Sequence, residues 1–148
     1  MFVGSQGTEW PGEYFVGDDL WFTHWPTEGV QCRMMFLDPS LGKTERSDMS
    51  AIVSLAVTAD GTIWVDADID RRDTARISSD CVDLARRFNP HWIGVEVNGF
   101  QELLAGEMAR VSKEAGFLLP IYPVVNTVAK ITRIRALTPY FSRREFRF

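Results

Sequence analysis

Two acids in this chain stand where a carboxylate is costly unless something offsets its charge. Asp38 closes the apolar run Met34-Met35-Phe36-Leu37 and opens Pro39-Ser40-Leu41-Gly42-Lys43, with Ser47-Asp48 following. Glu96 closes Trp92-Ile93-Gly94-Val95 and precedes Val97-Asn98-Gly99-Phe100-Gln101. If the two strand-like runs lie side by side in a sheet, both carboxylates emerge at one end, within reach of a shared cation. Hard oxygen donors with no His or Cys nearby favour Mg²⁺ or Mn²⁺ over zinc. Asp48, across the loop from Asp38, can return to the same mouth as an auxiliary ligand. The competing reading makes Asp38 the start of a proline turn and Glu96 the partner of an arginine. Spacing alone leaves both open.

Other motifs fail on their own chemistry. Gly42-Lys43-Thr44 resembles the end of a phosphate-binding loop, but the required earlier glycine is Leu37, and strand residues follow where a helix is needed. ATP binding there is rejected. Asp66, Asp68 and Asp70 alternate like a calcium loop, yet its glycine and closing glutamate positions hold Arg71 and Ile77. The wet face of an edge strand accounts for them better. His24 and His91 have no acid or nucleophile at recognisable spacing, so a catalytic triad has no support.

The elements that must position the acids follow from periodicity. Residues 31–38, 51–57 and 62–69 read as strands, the last two joined by an Asp60-Gly61 turn. Residues 74–88 read as an amphipathic helix with Asp73 as N-cap and Asn89-Pro90 as its stop. Residues 92–97 form a short buried strand. A second helix follows, with Asn98 as cap, Leu103, Leu104, Met108 and Val111 along it, and Gly116 closing it. Residues 118–125 form a further strand, with Pro120 and Pro123 at its ends or on an edge. A third helix is expected over 127–141 with Ile131, Ile134, Leu137 and Phe141 inward, and residues 145–148 could begin one more strand. A meander followed by β-α units predicts a mixed sheet with helices on its faces.

At 148 residues the chain reads as one domain with a real core, preceded by an irregular arm over 1–29 rich in Gly, Pro and aromatics. Trp10, Tyr14, Phe15, Trp21, Phe22 and Trp25 of that arm must pack onto this domain, a second copy or a neighbouring domain. The two cysteines, Cys32 and Cys81, read as buried thiols in a reducing compartment. No run approaches a membrane span and no signal peptide is evident, so a cytoplasmic location is expected. The net charge of −4 argues against a generally basic nucleic-acid binder. It conceals a basic end, however: Lys130, Arg133, Arg135, Arg143, Arg144 and Arg147 stand against Glu145 alone. That end meets phosphates or forms a solvated face, and charge does not choose between them.

Four blocks together resemble a known family. They are Leu37-Asp38-Pro39-Ser40 through Gly42-Lys43 to Ser47-Asp48; Asp68-Ile69-Asp70-Arg71-Arg72; Gly94 through Gln101; and Lys130 with Arg133-Ile134 and Leu137-Thr138-Pro139. Over roughly three-quarters of the chain these resemble the nuclease domain of the large terminase subunit, the DNA-packaging motor of tailed bacteriophages and prophages. The resemblance implies an α/β, RNase H-like (RuvC-type) domain over 30–148. Its mixed five-stranded sheet would carry helices on both faces. It also implies Mg²⁺- or Mn²⁺-dependent cleavage of double-stranded DNA at a two-metal site. By position, Asp38 and Glu96 would be metal ligands and catalytic acids, and Asp48 a supporting acid. Lys43, Lys130 and Arg133 would face DNA or the active-site mouth. An ATPase domain and other packaging-motor components are the implied partners, in a bacterial host or a phage.

Family members carry an ATPase domain before this region and a third acid on a later C-terminal helix. This chain reaches Phe148 without that helix, so the domain reads as truncated. Its only late acid, Glu145, sits in the strand-like tail and is not assigned the role. A weak or inactive nuclease is therefore expected. The alternatives are a non-catalytic interaction module, self-associating through the aromatic arm and derived from a decayed prophage terminase, or another RNase H-like nuclease.

Overall fold

The computed structural model describes residues 9–39, 49–96 and 101–148, the side chains at 101–103 and 105 excepted. Three strands come first: β1 (Val30–Asp38), β2 (Ser50–Thr58) and β3 (Ile63–Asp70). Helix α1 (Thr74–Phe88), strand β4 (Trp92–Glu96), helix α2 (Gln101–Glu114) and strand β5 (Ile121–Val124) follow. Two short helices, α3 (Lys130–Arg135) and α4 (Thr138–Ser142), precede a two-residue strand β6 (Phe146–Arg147). The sheet order is β5-β4-β1-β2-β3-β6. The meander β1-β2-β3 is antiparallel, whereas β4 pairs parallel to β1 and β5 parallel to β4. The sheet is therefore mixed, an antiparallel meander extended by parallel strands, as the order of elements predicts.

The core explains the order. Met35 and Leu37 of β1, Ile52 and Ala56 of β2, and Ile93 and Val95 of β4 are buried on one face. They meet Ile77, Cys81, Ala85 and Phe88 of α1, with Leu104 and Met108 of α2. Both long helices therefore share that face. Side-chain alternation sends Met34, Phe36, Trp92 and Gly94 to the other. Burial of non-polar surface is the driving term, and on the second face Phe36 packs against Trp92, so β1 and β4 carry apolar residues on both sides.

Local signals place the element ends. Asp73 Oδ1 accepts the Arg76 amide at 2.8 Å and caps α1, and Asn89 ends it in the left-handed region at φ 52°. Gly61 takes φ 86° in the β2–β3 turn, where Asp60 Oδ1 accepts from the Thr58 hydroxyl (2.6 Å) and the Thr62 amide (3.1 Å). The Thr58 bond, then that from Thr62, holds the Asp60 carboxyl below its usual range. β6 covers β3 only at Ile63 and Trp64, so Asp66 to Asp70 do lie on an edge.

Four expectations are corrected. The single helix over 127–141 is two, interrupted at Ala136 and Leu137, with Pro139 in the first turn of α4. Proline is tolerated there but cannot continue a preceding helix, which explains the break. Ile131 (46% exposed) and Leu137 (39%) face outward, and only Phe141 of the four expected apolar positions is buried. The penultimate strand begins at Ile121 rather than 118, and the tail does supply a strand, making the sheet six-stranded.

Residues 9–29 of the arm pack onto their own domain, the first of the three destinations open to it. Trp10 and Phe15 pack against Phe141, with ring centroids 4.3 and 5.2 Å away. Phe22 meets Trp64 and Trp25 meets Phe88. The Trp10 indole donates to Thr138 Oγ1 (3.1 Å), and Arg135 and Arg144 pair with Glu9 and Asp19. The Phe22 amide donates to the Phe148 carbonyl and the Phe148 amide to the Leu20 carbonyl, both at 2.7 Å. These contacts occupy Trp10, Phe15, Phe22 and Trp25 within the domain, while Trp21 stays 61% exposed.

Cys81 is fully buried, and burial pushes its thiol up to about 12. At pH 8 only about one thiol in ten thousand would then be the reactive thiolate. A disulfide exchange reagent should label at most Cys32 in the native protein and both cysteines in denaturant. Two equally fast native thiols would contradict the core described above.

Candidate metal centre

The site is a consequence of strand register. β1 and β4 pair in parallel with Met35 beside Ile93, Phe36 beside Gly94 and Leu37 beside Val95. One step further, each strand ends on an acid: Asp38 on β1 and Glu96 on β4. Adjacent strands lie about 4.8 Å apart, and paired positions in a parallel ladder project to the same face. Leu37 and Val95 point into the helical core, so Asp38 and Glu96 leave from the opposite face at one end of the sheet. Asp38 is exposed and Glu96 half-buried.

Close packing beneath the acids sets the surface they stand on. A Cβ on Gly94 would lie 2.8 Å from Phe36 Cδ1 and 3.0 Å from Val124 Cγ2. The Phe36 ring uses this space and meets Trp92 edge to face at 5.0 Å. Any larger residue at this position must displace the Phe36 ring or Val124.

Strand β5 contributes the next polar group. Its Val124 pairs with Glu96, and two residues on Asn126 Nδ2 donates to Glu96 Oε1 at 2.9 Å. A carboxylate can only accept, so the amide nitrogen must be the donor. Sequence periodicity does not single out Asn126. Its signal was its place as a third polar residue just beyond a strand, matching Asp38 and Glu96.

The remaining candidates are distributed as follows. Lys43 and Asp48 lie outside the described residues. Lys130 opens α3 and Arg133 follows one turn later, both exposed. They stand shortly after Asn126 in the chain, but neither contacts Asp38 or Glu96 through any described hydrogen bond or ion pair. Glu145 accepts from Arg143 in a 2.6 Å ion pair. Its carbonyl receives the Ile63 amide at the start of β3, the end of the sheet opposite Asp38. Glu145 thus has no access to the acids.

Asp68 and Asp70 do reach the Asp38 end, but on the helical side. In register, Asp68 lies beside the buried Ile52, and Asp70 beside the buried Ser50. Arg72, its side chain only 2% exposed, binds Asp68 and Asp80, while Arg76 binds Asp70. Burial disfavours the Arg72 charge, but the hydrogen bonds it donates to Asp80 and Asp68 outweigh it and raise its pKa. These acids serve a structural ion network. His91 Nδ1 accepts the Arg33 amide (2.9 Å), and His24 contacts the adjacent Thr23 hydroxyl, so neither histidine joins the site. Among the described residues, no group of three or more His, Cys, Asp or Glu side chains is placed to hold a metal ion.

No protein-family model matches the chain, and no curated protein sequence matches it. Among solved structures, the chain is similar to a Thermus thermophilus RuvC structure, with 17% identity and a TM-score of 0.45. The similarity covers 63% of this chain and 61% of that one, less than two thirds of the RuvC chain.

Gly94→Ala should destabilise the domain by about 1–3 kcal/mol, because the added methyl meets Phe36 and Val124 in a packed layer. Urea unfolding measures this, and an unchanged midpoint would mean that the ring moves aside freely.

Proposed function

We propose that this chain is a metal-dependent DNA nuclease domain of the large-terminase type. The observation that carries the reading is the emergence of Asp38 and Glu96 from neighbouring parallel strand ends on one face of the sheet. Two carboxylates so placed repel, and a shared cation turns that repulsion into attraction. The donor set fits a hard divalent ion such as Mg²⁺ or Mn²⁺, since it is all oxygen and both histidines are engaged elsewhere. Asp38 and Glu96 would hold the ion, with Asp48 as a supporting acid. Such an ion, when bound, polarises a phosphodiester and lowers the pKa of a coordinated water.

The chain's own contribution is to fix that charge and to present DNA to it. Lys130 and Arg133, exposed and one helical turn apart, are suited to phosphate oxygens, as is Lys43. The four sequence blocks support the terminase assignment over other enzymes of this fold. Duplex DNA is then the substrate, an ATPase domain and packaging-motor components are the partners, and the cytoplasm of a bacterial host is the location. With two acids in the described centre, weak cleavage is expected.

Mn²⁺-dependent nicking of supercoiled plasmid tests the acids. Asp38→Ala and Glu96→Ala should each lower the rate at least about 100-fold while leaving the thermal midpoint near that of the wild type. Cleavage that survives both substitutions would falsify the assignment.

Another RNase H-like nuclease would use the same two acids, so the substrate decides between them. Competition among linear duplex, four-way junction and RNA–DNA hybrid should favour the linear duplex. Preference for a junction or a hybrid would remove the terminase reading and keep the fold.

A further inference from the structure

We propose that Asn126 is a positioning residue for Glu96, holding its carboxylate in the orientation that receives the metal ion. The inference rests on the metal-dependent reading above and assigns a role to a residue outside the four sequence blocks. A glutamate at a strand end has three rotatable side-chain bonds, whereas Asp38 has two. Fixing those bonds in advance removes an entropic cost from ion binding. Asn126 Nδ2 donates to Glu96 Oε1 at 2.9 Å, from the segment that leaves the neighbouring strand β5. This anchors one carboxylate oxygen to a second element of the sheet.

The chemistry of the donor matters as much as its position. A lysine or arginine at this distance would orient Glu96 but also oppose its charge and compete with a cation. A neutral amide orients without adding positive charge. Asn126 is half-buried, which shields the bond from water and keeps its geometry defined. Hydrogen bonds of this kind to ligating carboxylates commonly govern metal affinity by about 10–100-fold.

The test is isothermal titration of Mn²⁺ into the full chain, with thermal melting in parallel. Asn126→Leu keeps the approximate shape and removes the donor. It should weaken Mn²⁺ binding about 10-fold with little change in melting temperature. Asn126→Gln retains an amide donor on a longer arm and should stay within about threefold of the wild type. Glu96→Ala serves as the reference and should abolish the binding. If Glu96→Ala abolishes binding but Asn126→Leu binds like the wild type, Asn126 has no positioning role and the metal centre stands without it. Equal losses in Asn126→Leu and Asn126→Gln would also overturn the role, since donation would then not be what matters. If Glu96→Ala itself binds Mn²⁺ normally, the metal-centre reading fails and takes this inference with it.

Discussion

The register between β1 and β4 is the constraint on which the rest depends. Met35, Leu37, Ile93 and Val95 must all face the helices to build the core. A slip of one residue in either strand would turn its buried set toward solvent, at a cost of several kilocalories per mole for the large side chains. Because side chains alternate, the same burial fixes the phase of Asp38 and Glu96. Neither acid chooses its own direction. Core packing aims both at the same side of the sheet, and it does so more forcefully than a surface interaction between them could.

The same alternation separates two populations of carboxylate that the sequence places close together. Asp68 and Asp70 reach the Asp38 end of the sheet, but they pair with Arg72 and Arg76 on the helical side. Asp38 and Glu96 project from the other side. One population ties α1 to the edge of the meander, and the other is presented outward. A sequence rich in aspartate thus resolves into a structural network and a candidate site once the two faces are distinguished.

Much of this was legible because it is periodic. The meander, α1 with its Asp73 cap and the buried β4 follow from spacing and turn chemistry, and the apolar runs locate both acids at strand ends. What failed depended on tertiary choice. Ile131, Leu137 and Phe141 keep a helical spacing, yet Pro139 divides the segment and only Phe141 finds a core. That core is supplied by the arm, through Trp10 and Phe15, and composition could not say where the arm would dock. Asn126 escaped because a single amide has no period. Its meaning lies in the partner across the sheet, Glu96, 30 residues earlier in the chain.

The joint between arm and tail has a mechanical consequence. The amides of Phe22 and Phe148 donate to Phe148 and Leu20 respectively, a pattern that sets the two segments parallel. Tension applied to the arm from its N-terminal side and to the tail from its C-terminal side would load this joint in shear, both hydrogen bonds at once. Leu20, fully buried, and the Phe15, Phe141, Phe146 and Phe148 rings would resist the same sliding. The tail joins the sheet at the start of β3, away from the acids. A pulling force would therefore be borne at one end of the sheet while the strand ends carrying Asp38 and Glu96 remain outside the load path.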